Sequence, residues 1–327
     1  MNAIVAEIAQ RAAAGEFSGA FLVARDGRIE AAGAHGLANR ADAIPNQPDT
    51  RFNLASLNKM FTAVTVARLI DAGRLRWDDP VATYLGEDWL APEVAASITI
   101  DHLLSHTSGL GNYFNAEFER SSRLRFRVVG DYRPLVAADR PAFAPGSSWR
   151  YSNSGYMLLG AVIERVCGDY FEAVREHVYR VAGMHDTDCF ALDAVVPRLA
   201  IGYTRCGDEW VNNLFSHVLR GGPAGGGFST AEDLLRFERA LRDGALLCPA
   251  TFARLVEEHP LSRERMPYGR GFMLRQRGEQ IVAGHRGTFA GISTSFEMHL
   301  VSGCCVIVLA NQDAVGADAA RWIDGVL

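Results

Sequence analysis

The chain has 327 residues, with 33 Lys plus Arg against 38 Asp plus Glu, and so a formal charge of −5. Its composition, 48% hydrophobic and 22% charged, is that of an ordinary globular protein and excludes large-scale disorder. The mildly acidic balance without a basic stripe argues against nucleic acid as the main partner, and no apolar run is long enough to span a membrane.

The first quarter of the chain predicts a helix, a β-hairpin and a second helix. Apolar residues recur at helical spacing within residues 4–14. Asp26-Gly27 is typical of a tight turn, and the runs on both sides of it predict a hairpin over 19–32. The pattern is helical again over 55–72, and Gly73 supplies a C-terminal stop.

The middle of the chain predicts mainly helices. Thr99 can cap a short helix that runs through His106. Apolar spacing predicts two further helices over 155–166 and 171–181. The sequence Ser229-Thr230-Ala231-Glu232 forms a capping box that opens another helix.

Strand patterns return near the C-terminus. They cover residues 271–274, 280–283, 289–299 and 304–310, and a final helix is predicted over 317–326. Strands at both ends with helices between them predict an α+β fold.

The predicted architecture is an antiparallel sheet flanked by the terminal helices, with an inserted, mostly helical subdomain. We assign residues 1–75 and 225–327 to the sheet region and residues 76–224 to the helical subdomain. The two form one functional unit, and the cleft between them is the expected place for an active site.

Motifs for metal or nucleotide binding are missing from the sequence, which contains no H-E-x-x-H, Walker or G-x-G-x-x-G pattern. His102 and His106 have the spacing of a zinc pair, but no carboxylate lies between them, so a structural pair is favoured. The glycine-rich run 221–227 lacks a following Lys-Ser/Thr and is interpreted as a close-packed or flexible turn. We expect no metal and no cofactor.

The six cysteines contain no C-x-x-C pair, and buried free thiols are the expected state. Cys304 and Cys305 are adjacent in a predicted strand, so their side chains should point to opposite faces of the sheet. This arrangement disfavours a disulfide between them.

Lys59 is the only lysine among the 33 basic residues, the other 32 being arginine. It follows Ser56 by three residues, and side chains at this spacing face the same side of a helix. A lysine whose pKa is lowered by burial can remove the proton of a serine hydroxyl, which is otherwise a weak nucleophile. On this spacing alone, an exposed helix turn with a solvated lysine is an equally good interpretation.

Two further segments carry candidate site residues. Tyr151 and Asn153 lie two apart just before a predicted helix, where a phenol can relay protons and an amide can hold a substrate carbonyl. The run Gly284-His285-Arg286-Gly287-Thr288 opens a predicted strand, and its glycines allow close approach of the backbone.

Taken in order, these segments resemble the class C β-lactamase-like family of penicillin-recognising serine hydrolases. That family includes class C β-lactamases, D-alanyl-D-alanine carboxypeptidases, D-aminopeptidases and β-lactamase-like esterases. The resemblance runs from about residue 18 to residue 312 and implies a β-lactamase/transpeptidase-like fold. Its segments are the S-x-x-K motif at Ser56–Lys59, L-L-S-H-T-S-G-L at 103–110, the Y-x-N motif at Tyr151–Asn153, G-G-G-F-S-T-A-E-D-L at 225–234, and His285-Arg286-Gly287.

The resemblance implies a role for each matching position. Ser56 would be the acylated nucleophile, while Lys59 and Tyr151 would share the proton transfers. Asn153 would hold the acyl-side amide of the substrate or a neighbouring polar group. The backbone N–H groups of Ser56 and Thr288 would form the oxyanion hole. His106 lies outside the three catalytic motifs and is interpreted as structural.

The third motif departs from the K-T-G of the β-lactamases and is close to the H-x-G variant of the D-peptidases. We expect His285, Arg286 and Gly287 to contribute to substrate binding. A histidine is mostly neutral at pH 7, and so it is a weaker carboxylate anchor than lysine but a capable donor. Arg286 could grip a carboxylate if it turned into the cleft. Strand alternation instead favours an outward, solvated arginine.

The sequence therefore predicts a serine hydrolase that acts through an acyl-enzyme on small esters, amides or D-amino-acid peptides. The alternatives are a genuine β-lactamase and, in another class, a non-catalytic penicillin-binding-like protein that uses the cleft for binding. The expected partner is a small-molecule or peptide substrate, and the oligomeric state stays open. Without a signal peptide a cytoplasmic location is expected, whereas trimming before Met1 would allow a periplasmic one.

Overall fold

A computed structural model describes all 327 residues of the chain. The helices are α1 (Asn2–Ala13), α2 (Asn58–Asp71), α3 (Pro92–Ser97), α4 (Ile100–Leu104), α5 (Ala116–Arg120), α6 (Arg133–Ala137), α7 (Asn153–Cys167), α8 (Tyr170–Val174), α9 (Arg180–Ala182), α10 (Ala231–Arg242), α11 (Pro249–Leu255) and α12 (Val315–Val326). The strands are β1 (Gly19–Arg25), β2 (Arg28–His35), β3 (Leu37–Asn39), β4 (Ile44–Pro45), β5 (Phe52–Asn53), β6 (Tyr203–Cys206), β7 (Glu209–Asn212), β8 (Phe228–Ser229), β9 (Met273–Arg277), β10 (Gln280–Phe289), β11 (Ile292–His299) and β12 (Cys304–Ala310).

The central sheet combines strands from the two ends of the chain. Its six strands follow the order β2-β1-β12-β11-β10-β9, and every neighbouring pair is antiparallel. Gly19 lies opposite Ala310, so the first strand pairs directly with the last one. The α+β architecture predicted from the sequence is confirmed.

Both faces of this sheet are buried, as the two-sided apolar strands require. The outer face packs against α1 and α12, and the inner face packs against α10 and the turn at Ala55–Leu57 that precedes α2. Cys304 belongs to the outer cluster and Cys305 to the inner one, which confirms that they point to opposite faces. All six cysteines are free, but Cys206 and Cys248 are exposed rather than buried.

A chain of aromatic rings connects α2 to the sheet. The ring of Phe61 on α2 meets Phe237 on α10 edge-on at a centroid distance of 5.0 Å. Phe237 in turn lies 5.9 Å from Phe296 on β11. All three side chains are fully buried, so this contact fixes the start of α2 relative to the sheet.

Three local predictions were wrong in detail. Thr230 rather than Ser229 caps α10, because its side chain accepts the N–H of Asp233. The predicted strand 289–299 is interrupted, because Gly291 adopts a φ of 68° in the turn between β10 and β11. The segment around His285 lies inside β10 instead of opening a strand, because β10 already begins at Gln280.

The segment 76–224 contains α3 to α9 together with two short strands, β6 and β7. Its buried residues and those of the sheet region form one continuous apolar cluster. The boundaries at residues 75 and 225 stay a prediction. None of the helices has both the length and the apolar character needed to cross a membrane.

We expect Phe237→Ala to lower the free energy of unfolding by about 3–5 kcal/mol, because it leaves a cavity between two other buried rings. Urea denaturation followed by circular dichroism measures this change. Ile29→Ala on β2 is the matched control, since its side chain is 52% exposed and its loss should change stability by less than about 0.5 kcal/mol. Equal effects of the two substitutions would contradict the role of the aromatic chain.

Candidate active site

Ser56 lies in a single 3-10 turn, Ala55–Leu57, between β5 and α2. The preceding Ala55 has a φ of 45°, an uncommon value for a residue with a side chain. Two hydrogen bonds hold it there: its N–H donates to Asn53 Oδ1 at 2.9 Å, and its carbonyl accepts the N–H of Gly226 at 3.0 Å. The local fold thus presents Ser56 on a strained and firmly held turn.

Lys59 is completely buried one turn further along, in α2. Its Nζ lies 3.3 Å from Ser56 Oγ and 2.7 Å from Asn153 Oδ1, and it also contacts the carbonyl oxygen of Ala224. Burial lowers the pKa of this amine well below its usual value. The solvated-lysine alternative is therefore wrong.

The contacts of Lys59 can be assigned for its neutral form, which has two N–H donors and one lone pair. Asn153 Oδ1 and the Ala224 carbonyl can only accept, so they take the two N–H groups. In the structure Nζ donates to Ser56 Oγ; once neutral, the amine would instead direct its lone pair at the hydroxyl hydrogen of Ser56. This arrangement can remove a proton from the serine.

Tyr151 lies in the loop before α7 and is held by His106. The carbonyl of His106 accepts the N–H of Arg150 at 3.0 Å, and its Nδ1 accepts the N–H of Ser152 at 3.1 Å. The His106 ring lies 4.3 Å from the Tyr151 ring. His106 therefore holds the backbone on both sides of Tyr151. This contact explains the structural role expected for His106.

The phenol of Tyr151 is close to both Ser56 and Lys59. Lys59 Nζ lies 4.9 Å from the centre of its ring, and the hydroxyl oxygen is buried. Burial raises the pKa of the phenol, and the contact with Ser56 opposes this effect only in part. Tyr151 is consequently protonated at neutral pH and can act as a proton donor.

Asn153, the first residue of α7, connects Lys59 to Asn112 through hydrogen bonds. Its Oδ1 accepts from Lys59, and its Nδ2 donates to Asn112 Oδ1 at 3.2 Å. One N–H of the amide remains for another acceptor. Asn153 therefore orients Lys59 and keeps one donor for a bound molecule.

His285 on β10 faces the same site but has no free donor. Its Nδ1 lies 2.7 Å from its neighbour's carbonyl, that of Arg286, and so must carry the hydrogen. Its Nε2 lies 3.2 Å from the hydroxyl of Tyr268 and accepts from it. Burial, with a smaller effect of Lys59, lowers the pKa of His285 to about 3. In this arrangement His285 offers no free N–H to a substrate, and its part in substrate binding stays a prediction.

Arg286 follows the strand alternation and lies on the other face of the sheet. Its guanidinium pairs with Glu297 at 3.1 Å, and Arg275 pairs with the same carboxylate at 2.8 Å. It therefore does not lower the pKa of Lys59, which burial alone explains. Gly287 contacts the nucleophile turn, because a Cβ there would lie 2.2 Å from the carbonyl of Leu54. Only glycine lets β10 pack this closely against that turn.

The glycine-rich run 221–227 is the close-packed turn that was one of its two interpretations, since a Cβ at Gly225 would lie 2.9 Å from the Ala55 carbonyl.

Three contacts of the site were not predicted from the sequence: those of the Ala224 carbonyl with Lys59, of Tyr268 with His285 and of Asn112 with Asn153. The carbonyl of Ala224 in this turn contacts Lys59, but a backbone acceptor has no sequence signature. Tyr268 and Asn112 belong to loops without a recognisable motif.

Two carboxylates and a histidine cluster on the outer face of the sheet. Ligand atoms of Glu297, His299 and Asp324 lie within 4.8 Å of one another. The carboxylates already pair with guanidinium groups, however, Arg275 contacting both of them and Arg277 contacting Asp324. Three arginines around two carboxylates, with Arg286 as the third, form an ion-pair network that repels a cation.

The site opens into a cavity of about 600 Å³ at the edge of β10. Its lining brings together five of the predicted site residues, which are Ser56, Tyr151, His285, Arg286 and Thr288. Arg286 lies on the outer face of the sheet but still lines this cavity, because β9 no longer pairs with β10 beyond Gly284. Lys59 and Asn153 lie behind Ser56 rather than in the lining.

Comparison with known proteins agrees with this geometry. The Beta-lactamase family model matches residues 4–326. Esterase EstB of Burkholderia gladioli is 35% identical over 267 residues, which cover 71% of this chain and 67% of that protein. The family model extends through all five segments that carry the resemblance.

Solved structures show the same fold. The penicillin binding protein from Bacillus halodurans superimposes with a TM-score of 0.90 at 31% identity, covering 98% of this chain and 99% of that one. The D-stereospecific amidohydrolase from Streptomyces gives a TM-score of 0.80 at 27% identity, covering 98% and 97%. The β-lactamase/transpeptidase-like fold is confirmed, and the chain belongs to the beta-lactamase family of serine hydrolases.

Proposed function

We propose that this protein hydrolyses small esters or amides through an acyl-enzyme on Ser56. The observation that carries the proposal is the contact of Ser56 Oγ with a buried amine whose two hydrogens have other acceptors. Lys59 takes the serine proton as Ser56 attacks the substrate carbonyl. A serine hydroxyl needs such a neighbouring base to become an effective nucleophile.

Tyr151 supplies the second proton transfer in this scheme. Its phenol is kept protonated by burial and donates to the leaving group as the tetrahedral intermediate collapses. The lysine ammonium then returns a proton to the phenolate, so that both groups are reset. In deacylation, a water molecule gives its proton to the same pair and attacks the acyl-enzyme.

The oxyanion of each tetrahedral intermediate binds to the N–H groups of Ser56 and Thr288. Two features support this assignment: both residues line the cavity, and Gly287 packs directly on the turn that carries Ser56. Preorganised backbone donors of this kind typically contribute a factor of about 10²–10³ in rate each.

The substrate class that fits best is an ester, a simple amide or a D-amino-acid peptide. The third motif holds a neutral histidine instead of a lysine, so the inner face of the site offers no second cation for a carboxylate. The similarity to an esterase and to a D-stereospecific amidohydrolase supports this class.

Penicillin acylation is the second candidate, and one observation favours it. The guanidiniums of Arg275 and Arg286 line the outer part of the cavity, where a carboxylate could reach them. The Bacillus halodurans relative is a penicillin binding protein. A panel of nitrophenyl esters, D- and L-aminoacyl nitroanilides and a penicillin ranks the two candidates by kcat/KM.

We expect a short-chain nitrophenyl ester to add one acyl group to Ser56, because the neutral amine beside it activates this hydroxyl. Intact mass spectrometry of the quenched reaction, followed by peptide mapping, detects the adduct. Ser56→Ala should show no adduct and lose at least about 10³-fold in turnover. Undiminished turnover in that variant, or no adduct from any acyl donor, would sink the proposal.

Lys59→Arg should fold normally yet lose acylation, because a guanidinium stays protonated and cannot accept the serine proton. We expect a fall of at least about 10²-fold in the acylation rate, measured by the burst of nitrophenol. Unfolding in urea reports whether the larger side chain is tolerated, and Lys59→Met serves as a neutral control of similar length. Wild-type turnover in Lys59→Arg would remove the base role from this residue.

His285 makes a pH-dependent contribution to stability. Its pKa is about 3 in the folded protein and about 6.5 in an unfolded chain. The unfolded state therefore binds a proton first as the pH falls, so stability is lost on going from pH 7.5 to pH 5. The expected loss from this one residue is about 2 kcal/mol.

The measurement is urea unfolding at both pH values for the wild type and for His285→Asn, whose amide can still donate to the Arg286 carbonyl. The variant should lose less stability over this interval than the wild type by about the amount that His285 contributes. Parallel losses in the two proteins would show that His285 is protonated in the folded state or is not buried.

A further inference from the structure

A second cavity lies on the inner side of the sheet, between α10, α11 and the end of β11. It has a volume of about 370 Å³. We call it the α10–α11 cavity and define it by the apolar side chains in its lining, which are Leu241, Pro249, Phe252, Val256, Met298 and Leu300. None of its lining residues belongs to the cavity that contains Ser56. It is therefore a separate cavity and not an extension of the catalytic cleft.

One carboxylate oxygen in this lining has no partner. Glu238 on α10 is 1% exposed and lines the α10–α11 cavity. Its Oε1 accepts two hydrogen bonds from Arg242, whereas its Oε2 accepts none from any group of the protein. A buried acceptor of this kind costs free energy until a donor reaches it. Because Glu238 lines the cavity, a molecule bound there can supply this donor.

The charges around the cavity favour a cation. The charged side chains of the lining are Glu238, Asp243 and Arg242, so two carboxylates stand against one guanidinium. Burial raises the pKa of the Glu238 carboxyl, and the guanidinium of Arg242 opposes this rise. An ammonium group beside Oε2 stabilises the ionised carboxylate further, because a charge-assisted hydrogen bond is stronger than one between neutral groups.

The rest of the lining suits the apolar body of such a cation. Phe252 on α11 and Leu300 after β11 are only partly buried and pack against the core. The ring of Phe252 meets Phe272 edge-on at a centroid distance of 6.4 Å. Arg68 on α2 donates to the carbonyl of Ala245 at 3.2 Å and so holds the loop between α10 and α11. Apolar walls with one well-placed polar group are typical of a small-molecule site.

We propose that the α10–α11 cavity binds a small organic amine, whose ammonium group donates to Oε2 of Glu238 and whose aliphatic or aryl-alkyl body lies against Phe252 and Met298. The inference is independent of the proposed function, because no residue of this cavity takes part in the chemistry at Ser56. A carboxylate of the same shape is repelled by Glu238, and an alcohol lacks the charge that the second carboxylate favours.

Methionine methyl groups report on the two cavities separately. Met298 lines the α10–α11 cavity, whereas Met266 and Met273 line the cavity that contains Ser56. In protein labelled with carbon-13 at the methionine methyl groups, phenethylamine should shift the NMR signal of Met298 in a saturable titration. The signals of Met266 and Met273 should stay in place at the same concentrations. Single Met→Leu substitutions at these three positions assign the signals.

Phenethylamine should bind at least about tenfold more tightly than phenethyl alcohol or phenylpropionate, because only the amine brings a charged donor to the buried carboxylate. Glu238→Gln should weaken binding of the amine by at least about tenfold. Glu232→Gln is the matched control, since it makes the same change on an exposed part of α10 outside the lining, and it should keep the wild-type affinity. Urea unfolding shows whether both variants are folded.

Phe252→Ala tests the apolar wall without touching the carboxylate. It should weaken binding of the amine and of the alcohol alike, by about fivefold or more, because both ligands place the same ring against Phe252. No saturable shift of Met298, a shift that Glu238→Gln leaves unchanged, or tighter binding of the alcohol than of the amine would overturn the inference. The proposed function stands in each of these cases, since acylation of Ser56 is measured without an amine.

Discussion

The burial of one amine organises the whole site. Lys59 has no exposed surface, and an ammonium ion in such a place would need a counter-charge that the structure does not supply. Burial therefore lowers the pKa of the amine, and its hydrogen bonds come from three separate parts of the chain. The glycine-rich turn supplies the Ala224 carbonyl, α7 supplies the Asn153 amide, and the nucleophile turn supplies Ser56. The fold has to bring these parts together before Lys59 can act as a base.

The histidines near Lys59 are uncharged. His106 and His285 are both buried, and burial lowers the pKa of each, so neither adds a cation to the inner face. Arg286 lies on the other face of the sheet and pairs with Glu297. The two arginines that line the cavity, Arg275 and Arg286, are thus held in its outer part by their ion pairs with Glu297. A dry, uncharged pocket with a single amine is the result, and such a pocket strengthens the field of nearby backbone dipoles.

The parts of this site that were predictable are those that local spacing determines. Ser56 and Lys59 share a helix face because they are three residues apart, and alternation along β10 places His285 and Arg286 on opposite faces. The hydrogen bond from Tyr268 to His285 joins residues on different elements. No local pattern in the sequence therefore indicates that Nε2 of His285 already has a partner. The error at Ser229 has a simpler cause, since serine and threonine are both good caps and only the backbone conformation selects Thr230.

Substitution of histidine for lysine in the third motif has consequences for substrate choice. A lysine at position 285 would place a second ammonium near Lys59, and mutual repulsion would lower the pKa of both amines. With His285 neutral, burial must do this alone, which requires the site to remain dry. A dry site without an inner cation selects weakly for charged substrates. Selection then has to come from apolar contacts, and the cavity that contains Ser56 offers them through Met273, Leu274 and Phe296.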